Sequence, residues 1–269
     1  MKIGRQAYRS SAISAANKET ILVRGHDLSN ELIGKVGLTE YFWLLVTGTI
    51  PSAAQRRVLD ATLVAIAEHG LVPSVQASRM TFAAAPEAMQ GAVAAGLLGC
   101  GSVVLGSAEA AGRFMTEIAS LTQAGTALDE AAAAVIGEYR AAKRPIPGYG
   151  HPLHKGLDPR AQRLLAVAAE AGCTGIHIEI AQVIERLLPG ILGKSLALNV
   201  SGAIPAVLLD AGYPVEGLKG VPLLARTAGL IAHLVEEMKR PIGFVMSDAA
   251  ARAIDYDGEA PQGFTPSHD

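Results

Sequence analysis

The chain has 269 residues, of which 50% are hydrophobic but only 4% are aromatic, and its formal net charge is −2. This length can bury a sizeable core, and the absence of charge blocks argues against nucleic-acid or anionic-membrane partners. Cys100 and Cys173 have glycine neighbours in apolar surroundings and are predicted to be reduced thiols rather than a disulfide framework. The first ten residues lack an apolar segment, so the sequence predicts a cytoplasmic protein.

Helical periodicity runs through most of the chain, and strict alternation is scarce, which predicts an all-α fold. Caps and breakers set the expected bounds. In chain order, helices are predicted from Ser52 to Glu68, from Pro86 towards Gly99, from about Val103 to Leu121, from Asp129 to near Lys143, from Asp158 to Gly172, from Thr174 to Leu188, from Ala203 to Leu209 and from Leu218 to Lys239. The Pro189-Gly190 pair is interpreted as a helix end, and residues 195–200 as a short extended segment.

A stretch without charged residues extends from Ala88 to Ala108 and is long enough to cross a bilayer. It is rich in glycine and alanine, and no aromatic residues flank it as they flank membrane spans. We therefore expect two buried helices that meet near Gly99-Cys100-Gly101, and no membrane partner.

Prolines and glycines crowd the segment Arg144–Arg160 and predict a rigid loop between helices. The loop presents His151, His154, Lys155 and Arg160. Histidine can donate to a carbonyl oxygen, arginine can clamp a carboxylate, and lysine can bind phosphate. These groups suit an anionic carbonyl substrate on a phosphorylated carrier, and a solvated basic loop is the alternative.

The motif Pro147-Gly148-Tyr149-Gly150-His151, followed by Asp158-Pro159-Arg160, resembles the signature of the citrate synthase family around its oxaloacetate-binding histidine. Further stretches are similar to that family at residues 24–28, 41–51, 67–70 and 225–233. The resemblance implies one citrate synthase-like, multi-helical domain over residues 1–269. It also implies a large helical domain with a smaller helical lid at about residues 150–225.

The resemblance also implies roles for single residues. His151 would hydrogen-bond the oxygen that is the oxaloacetate carbonyl in one direction and the citryl hydroxyl in the other. His69 would contact the same substrate, while Arg160 and Arg226 would clamp its carboxylates.

Lys155, Gly148 and Gly150 would lie near coenzyme A, which takes part as a portion of the substrate. Arg79 follows His69 closely in the sequence and is predicted to add positive charge to the pocket, with an ion pair as the alternative. No metal and no permanently bound cofactor are expected, because hydrogen bonds can stabilise the developing oxyanion.

Two positions depart from the family pattern. Val104 stands where synthases carry the histidine that helps to form the enolate, and citryl-CoA lyase modules also lack that histidine. Ser201 follows Asn199-Val200, where the family has its catalytic aspartate. Position 104 favours a lyase, and Ser201 occupies the third catalytic position beside His69 and His151.

The resulting hypothesis is a citryl-CoA lyase-like enzyme, a carbon–carbon lyase acting on an acyl-CoA. It would cleave citryl-CoA, or a related 3-hydroxy-3-carboxyacyl-CoA, to acetyl-CoA and oxaloacetate or another 2-oxo acid. One alternative is a citrate or methylcitrate synthase that runs the condensation. A second is a non-catalytic homologue that binds an acyl-CoA or citrate.

Partners are expected to be an acyl-CoA, a di- or tricarboxylate and a second copy of the chain. The uncharged helices between Ala88 and Leu121 carry small apolar faces that a lone chain would struggle to cover. Together with the resemblance, this predicts a homodimer.

Overall fold

The computed structural model describes residues 10–101, 107–150 and 157–264, and within them the prediction of an all-α fold is confirmed. The helices are α1 (Leu38–Thr47), α2 (Ala53–Ala67), α3 (Pro73–Ala84), α4 (Met89–Leu98), α5 (Ser107–Gln123), α6 (Leu128–Ala141), α7 (Pro159–Glu170), α8 (Ile176–Leu192), α9 (Val200–Asp210), α10 (Gly220–Glu237) and α11 (Gly243–Ala253). Short strands precede them: β1 (Ser14–Ala16), β2 (Ile21–Val23) and β3 (His26–Asp27).

The described chain divides into two compact units. The large unit contains the residues up to Ala65 and those from Ser107 to Lys219, and the small unit contains the remainder. This division differs from the predicted lid at about residues 150–225. Residues 157–219 belong to the large unit because α7 and α8 pack on α9, and α9 packs on α5.

The centre of the large unit is α9, which is buried at eight of its eleven positions. A helix that is apolar on all sides must be covered on all sides, and α5, α7 and α8 surround it. Gly112 on α5 allows this packing, since a side chain there would overlap Leu218 and press on Pro205. Trp43 and Tyr213 add a buried edge-to-face ring pair with centroids 5.1 Å apart.

A small antiparallel sheet at the start of the large unit was not predicted. Its strands have three residues or fewer, so no alternating pattern can develop. Arg24 and Gly25 turn the chain between β2 and β3, both with positive φ. Two hydrogen bonds compensate for the positive φ of Arg24, because its Nε and Nη2 atoms donate to the Leu45 carbonyl at 3.0 and 2.6 Å.

The small unit is built on α3, which packs against α4, α10 and α11. Helix α3 was missed by the sequence analysis, which placed a helix start at Pro86. Pro86 lies instead in the turn after α3, and α4 begins at Met89. Gly96 on α4 is essential to the packing, because a Cβ there would lie 2.7 Å from Leu230 and 2.8 Å from the Ser74 carbonyl.

The uncharged stretch is divided between two helices, as predicted, with α4 ending at Leu98 and α5 beginning at Ser107. By length and composition alone, the described stretch Val215–Glu237 could cross a membrane, but 44% of its apolar window is buried. It also contains the buried ionisable residues Arg226 and Glu237, which are costly inside a bilayer.

Helix ends show where local signals decide the structure. Ser52 and Gln55 cap α2 reciprocally, and Asp158 caps α7, as predicted. Asp129 does not cap α6; it lies inside the first turn and pairs with Arg186. The predicted break at Pro189 is wrong, because α8 continues to Leu192 and ends at Gly193, which takes the left-handed conformation.

Candidate active site

The loop before residue 151 is held against the start of α9. The Asn199 backbone donates to the Gly148 carbonyl at 3.0 Å, its side-chain amide donates to the Gly150 carbonyl at 2.6 Å, and Gly150 donates to Ala197 at 2.8 Å. Gly148 and Gly150 both have positive φ, and a Cβ on Gly148 would lie 2.6 Å from the Gly202 Cα. Positive φ accounts for both glycines, and close packing is a second reason at Gly148; their predicted contact with coenzyme A stays a prediction.

Ser201 lies in the first turn of α9, half-buried. Its backbone N–H donates to the Asn199 side chain at 2.9 Å, as does that of Gly202 at 3.2 Å. Within the described part of the chain, the Ser201 hydroxyl has no hydrogen-bond partner. A helix N-terminus favours negative charge, so this position would also suit a carboxylate.

Arg160 lies in the first turn of α7, and Asp158 links it to the first turn of α9. The carboxylate of Asp158 accepts from Arg160 Nε and Nη2 at 3.1 and 3.0 Å, and also from the Val200 backbone N–H at 3.0 Å. Asp158 is only 1% exposed. Its ion pair occupies one edge of the guanidinium, on a side chain 23% exposed. Among the described residues, the outer Nη1–Nη2 edge is left for a second carboxylate.

Arg226 on α10 is a buried charge, only 3% exposed. Its Nε and Nη1 atoms have no hydrogen-bond partner among the described residues. Guanidinium cannot give up its charge in a protein, and a buried unpaired charge is strongly destabilising. The predicted role of Arg226 as a carboxylate ligand therefore agrees with an environment that requires an anion.

Cys100, which lies close enough to Arg226 to feel its charge, does not supply that anion. Burial, the largest effect, raises the pKa of the Cys100 thiol and outweighs the nearby Arg226 charge, which lowers it. The thiol is therefore protonated near neutral pH.

His69 lies just beyond the end of α2 and is exposed. Its backbone N–H donates to the Glu68 carboxylate at 2.8 Å. The end of α2 packs closely on Gly229 of α10, where any side chain would overlap the Ala67 carbonyl. Arg226 lies one turn before Gly229 on the same helix, α10.

Arg79 has a structural role in place of the predicted substrate contact. It is 2% exposed and bonds Glu237 through Nε at 2.6 Å, Glu236 through Nη1 at 2.9 Å and the Arg240 carbonyl through Nη2 at 3.1 Å. These partners occupy each nitrogen of the guanidinium. Of the two alternatives that the sequence left open, the structure favours the ion pair.

Three predicted positions, His151, Lys155 and Val104, lie outside the described residues. The others form two groups. Gly148, Gly150, Arg160 and Ser201 belong to the large unit, and His69 and Arg226 belong to the small unit. Among the described residues, no group of three or more His, Cys, Asp or Glu side chains could hold a metal ion.

The sequence analysis did not predict that Asp158 and Asn199 hold the site residues in place, although each stands in a recognisable sequence pattern. Asp158 precedes a proline at a helix start, and Asn199 precedes an apolar helix, which are both N-cap patterns. Glu68 carried no such signal, because its side-chain partner, His233, comes from a distant part of the chain.

Several known proteins resemble this chain in sequence and fold. The family profile described as citrate synthase, C-terminal domain, matches residues 52–243. The structure of citryl-CoA lyase from Hydrogenobacter thermophilus is 30% identical, with a TM-score of 0.83, over 97% of this chain and 98% of that one. An ATP citrate lyase from Methanosaeta concilii, solved with (3S)-citryl-CoA, shares the fold at 22% identity, with a TM-score of 0.71 over 95% of this chain and 43% of that one.

Curated sequence relatives carry synthase names. The citrate/2-methylcitrate synthase of Bacillus subtilis is 27% identical over 201 residues, which cover 73% of this chain and 51% of that protein. The chain thus spans about half the length of the curated relatives it matches.

Asp158→Asn should destabilise the protein in a pH-dependent way. Burial tends to raise the Asp158 pKa, but hydrogen bonds from Arg160 and Val200 outweigh it, so the pKa lies below its ordinary value. The carboxylate then contributes fully above the ordinary pKa of about 4, and its contribution is lost as the pH falls through the lowered value. At pH 7 we expect a loss of about 2 kcal/mol in the free energy of unfolding, measured in urea, shrinking towards about pH 3.

Asp248→Asn is the matched control, because Asp248 forms an exposed pair with Arg252. This variant should stay within about 0.5 kcal/mol of the wild type. Equal losses in the two variants, or a loss at Asp158 that does not change with pH, would show that the Asp158 ion pair does not organise this region.

Proposed function

The chain belongs to the citrate synthase family, and from that premise we propose that it is a citryl-CoA lyase-like enzyme. It would cleave citryl-CoA, or a related 3-hydroxy-3-carboxyacyl-CoA, to acetyl-CoA and oxaloacetate or another 2-oxo acid. The observation that carries this proposal is the match to a citryl-CoA lyase over nearly the whole of both chains. The curated synthases, by contrast, are about twice as long as the part that this chain matches.

Two arginine side chains, Arg226 and Arg160, suit a substrate with several carboxylates. Arg226 offers a desolvated guanidinium with two nitrogens that lack described partners. Arg160 offers the outer edge of a guanidinium whose inner edge is fixed by Asp158. A preoriented guanidinium loses little entropy when it binds a carboxylate with two parallel hydrogen bonds.

Cleavage requires three proton and electron movements. The tertiary hydroxyl of the citryl group loses its proton, the C–C bond breaks, and its electrons leave on the acetyl-CoA enolate. The hydroxyl oxygen becomes the carbonyl of the 2-oxo acid, and the enolate then takes a proton at carbon. We assign the hydroxyl oxygen to His69 and His151, and we place the enolate carbon near Ser201.

A citrate or methylcitrate synthase is the second candidate, favoured by the names of the curated relatives. Val104 argues against it, because a valine cannot polarise the thioester carbonyl as the enolising histidine of synthases does. A non-catalytic acyl-CoA or citrate-binding homologue is the third candidate. Its support is Ser201, whose hydroxyl is a far weaker acid than the family's carboxyl.

The purified chain should release oxaloacetate from citryl-CoA, and Arg226→Leu should weaken substrate binding by about 100-fold. This factor follows from losing a charge-assisted hydrogen-bonded pair worth about 1.5 to 3 kcal/mol. Arg226→Lys should recover only part of the affinity, because lysine lacks the planar fork. Oxaloacetate release and the dissociation constant of citrate, measured by calorimetry, provide the readouts.

Arg252→Leu, which removes an exposed arginine from the same unit, is the matched control and should bind citrate as the wild type does. If the wild type releases oxaloacetate no faster than His151→Ala does, the lyase proposal is refuted. Unchanged citrate affinity in both Arg226 variants would show that the carboxylate site lies elsewhere.

Ser201→Asp should raise lyase turnover, because the enolate must be protonated at carbon and serine is a poor acid. Positioned acid–base groups contribute about 100- to 10,000-fold, and we expect a gain towards the lower end. Burying a new carboxylate can destabilise the fold, so thermal unfolding is measured alongside.

Ser201→Asn is the control, since it matches the shape of aspartate without its acidity. The proposed role of position 201 fails if the wild type turns over rapidly and Ser201→Asp slows it with the fold intact. A gain that Ser201→Asn reproduces would contradict it as well.

We further propose that the chain forms a two-fold symmetric homodimer. Leu98 at the end of α4 is 87% exposed, and α10 and α11 present further exposed apolar side chains. These are Ile231 and Val235 on α10 and Phe244 and Val245 on α11, and Met238, just after α10, is exposed as well. Large exposed apolar surface commonly marks a subunit interface. Light scattering at micromolar concentration should give twice the chain mass of 27.8 kDa, and a monodisperse monomer would rule the dimer out.

A further inference from the structure

Hydrogen-bonded charges connect the start of α11 to the end of α2 within the small unit. Glu237 accepts from the Gly243 backbone at 2.7 Å and from Arg79 Nε at 2.6 Å. Arg79 Nη1 lies 3.3 Å from His233 Nδ1, and His233 Nε2 lies 2.9 Å from Glu68 Oε2. His233 therefore links a buried ion pair to a carboxylate that is half exposed.

The chemistry of Arg79 determines which nitrogen of His233 carries the proton. A guanidinium only donates hydrogen bonds, so Nδ1 of His233 must accept. The proton then lies on Nε2, which donates to the Glu68 carboxylate. A proton on Nδ1 would face the N–H of Arg79, and so the neutral Nε2–H tautomer is the form that satisfies both neighbours.

Glu68 connects the His233 side chain to the backbone at the end of α2. While Oε2 accepts from His233, Oε1 accepts from the backbone N–H groups of His69 and Gly70. Burial tends to raise the Glu68 pKa, but the hydrogen bonds from His233 and Gly70 outweigh it, so the carboxylate stays ionised. The turn that ends α2 and directs His69 is thus fixed by a side chain that His233 itself holds.

The same helix face carries the predicted carboxylate ligand. Arg226, Gly229 and His233 lie at positions i, i+3 and i+7 of α10, so they share one face. Gly229 receives the end of α2 on this face. One rigid helix therefore sets both the place of Arg226 and, through Glu68, the place of His69.

We propose that His233, as the neutral Nε2–H tautomer held by Arg79, is a positioning residue for His69. It acts through Glu68 and does not itself touch the substrate. The inference rests on the proposed function, in which His69 contacts the reacting oxygen. Misplacing a catalytic group by about 1 Å can cost about 100-fold in rate.

The experiment combines NMR of the free protein with citryl-CoA cleavage. Long-range 1H–15N correlation on histidine-labelled protein should show His233 protonated at Nε2 alone at neutral pH. The amide signals of His69 and Gly70 should move in His233→Leu. They should keep their wild-type positions in His233→Gln, whose amide can accept from Arg79 and donate to Glu68.

In the cleavage assay, His233→Leu should lose about 100-fold in kcat with a smaller change in KM, because Arg226 remains to bind the substrate. His233→Gln should retain most of the activity. Glu236→Gln is the matched control, since Glu236 contacts Arg79 but not His233, and it should behave as the wild type.

An Nδ1–H or doubly protonated His233 in the wild type would overturn the inference, even if His233→Leu does not fold. So would unmoved His69 and Gly70 amides in a folded His233→Leu, or equal losses in the Gln and Leu variants. A wild type that does not cleave citryl-CoA would defeat the proposed function, and the NMR results would still decide the role of His233.

Discussion

Asp158 joins the starts of two helices through one buried carboxylate. It caps α7, accepts the first N–H of α9 and fixes one edge of the Arg160 guanidinium. Each of these bonds replaces water that burial removes, which is why the side chain can be both charged and 1% exposed. The positions of Arg160 and Ser201 in the large unit both follow from this carboxylate.

The small unit contains two buried arginines, which differ in the hydrogen-bond partners of their guanidinium nitrogens. Arg79 has a donor–acceptor contact for every nitrogen, and its pairing with Glu237 fastens α3, α10 and the start of α11 to one another. Arg226 has no described partner at Nε or Nη1. The complete set of partners shows a structural role for Arg79, and the two nitrogens of Arg226 without described partners support its proposed role in ligand binding.

The sequence was sufficient for those features that local chemistry determines. The all-α fold, the capped starts of α2 and α7 and the separation of α4 from α5 followed from periodicity, caps and glycines. Pro189 was misjudged because a helix packed on both sides can tolerate a proline, whereas the sequence shows only the lost N–H. The three short strands were missed because pairing over two or three residues leaves no periodic trace.

In the candidate site, too, the sequence predicted some residues and missed others. Arg226, Arg160, His69 and Ser201 were predicted from their positions in motifs, and their roles in the site stay predictions. The partners that orient them, Asp158, Glu68 and His233, act through contacts between distant segments. Arg79 was assigned to the substrate for the same reason, since its carboxylate partners lie more than 150 residues further along the chain.

The hydrogen bonds at the start of α9 bear on the proposed role of position 201 in proton transfer. Asp158 takes the Val200 N–H, and the Asn199 side chain takes those of Ser201 and Gly202. The first backbone donors of the helix are thus already used, so a carboxyl at position 201 would not be held as a helix cap. It would keep the favourable helix dipole yet lie near the charged Asp158, two influences that move its pKa in opposite directions. A carboxyl balanced in this way can exchange a proton with a carbon acid, whereas the serine at this position offers only a hydroxyl, with neither charge nor comparable acidity.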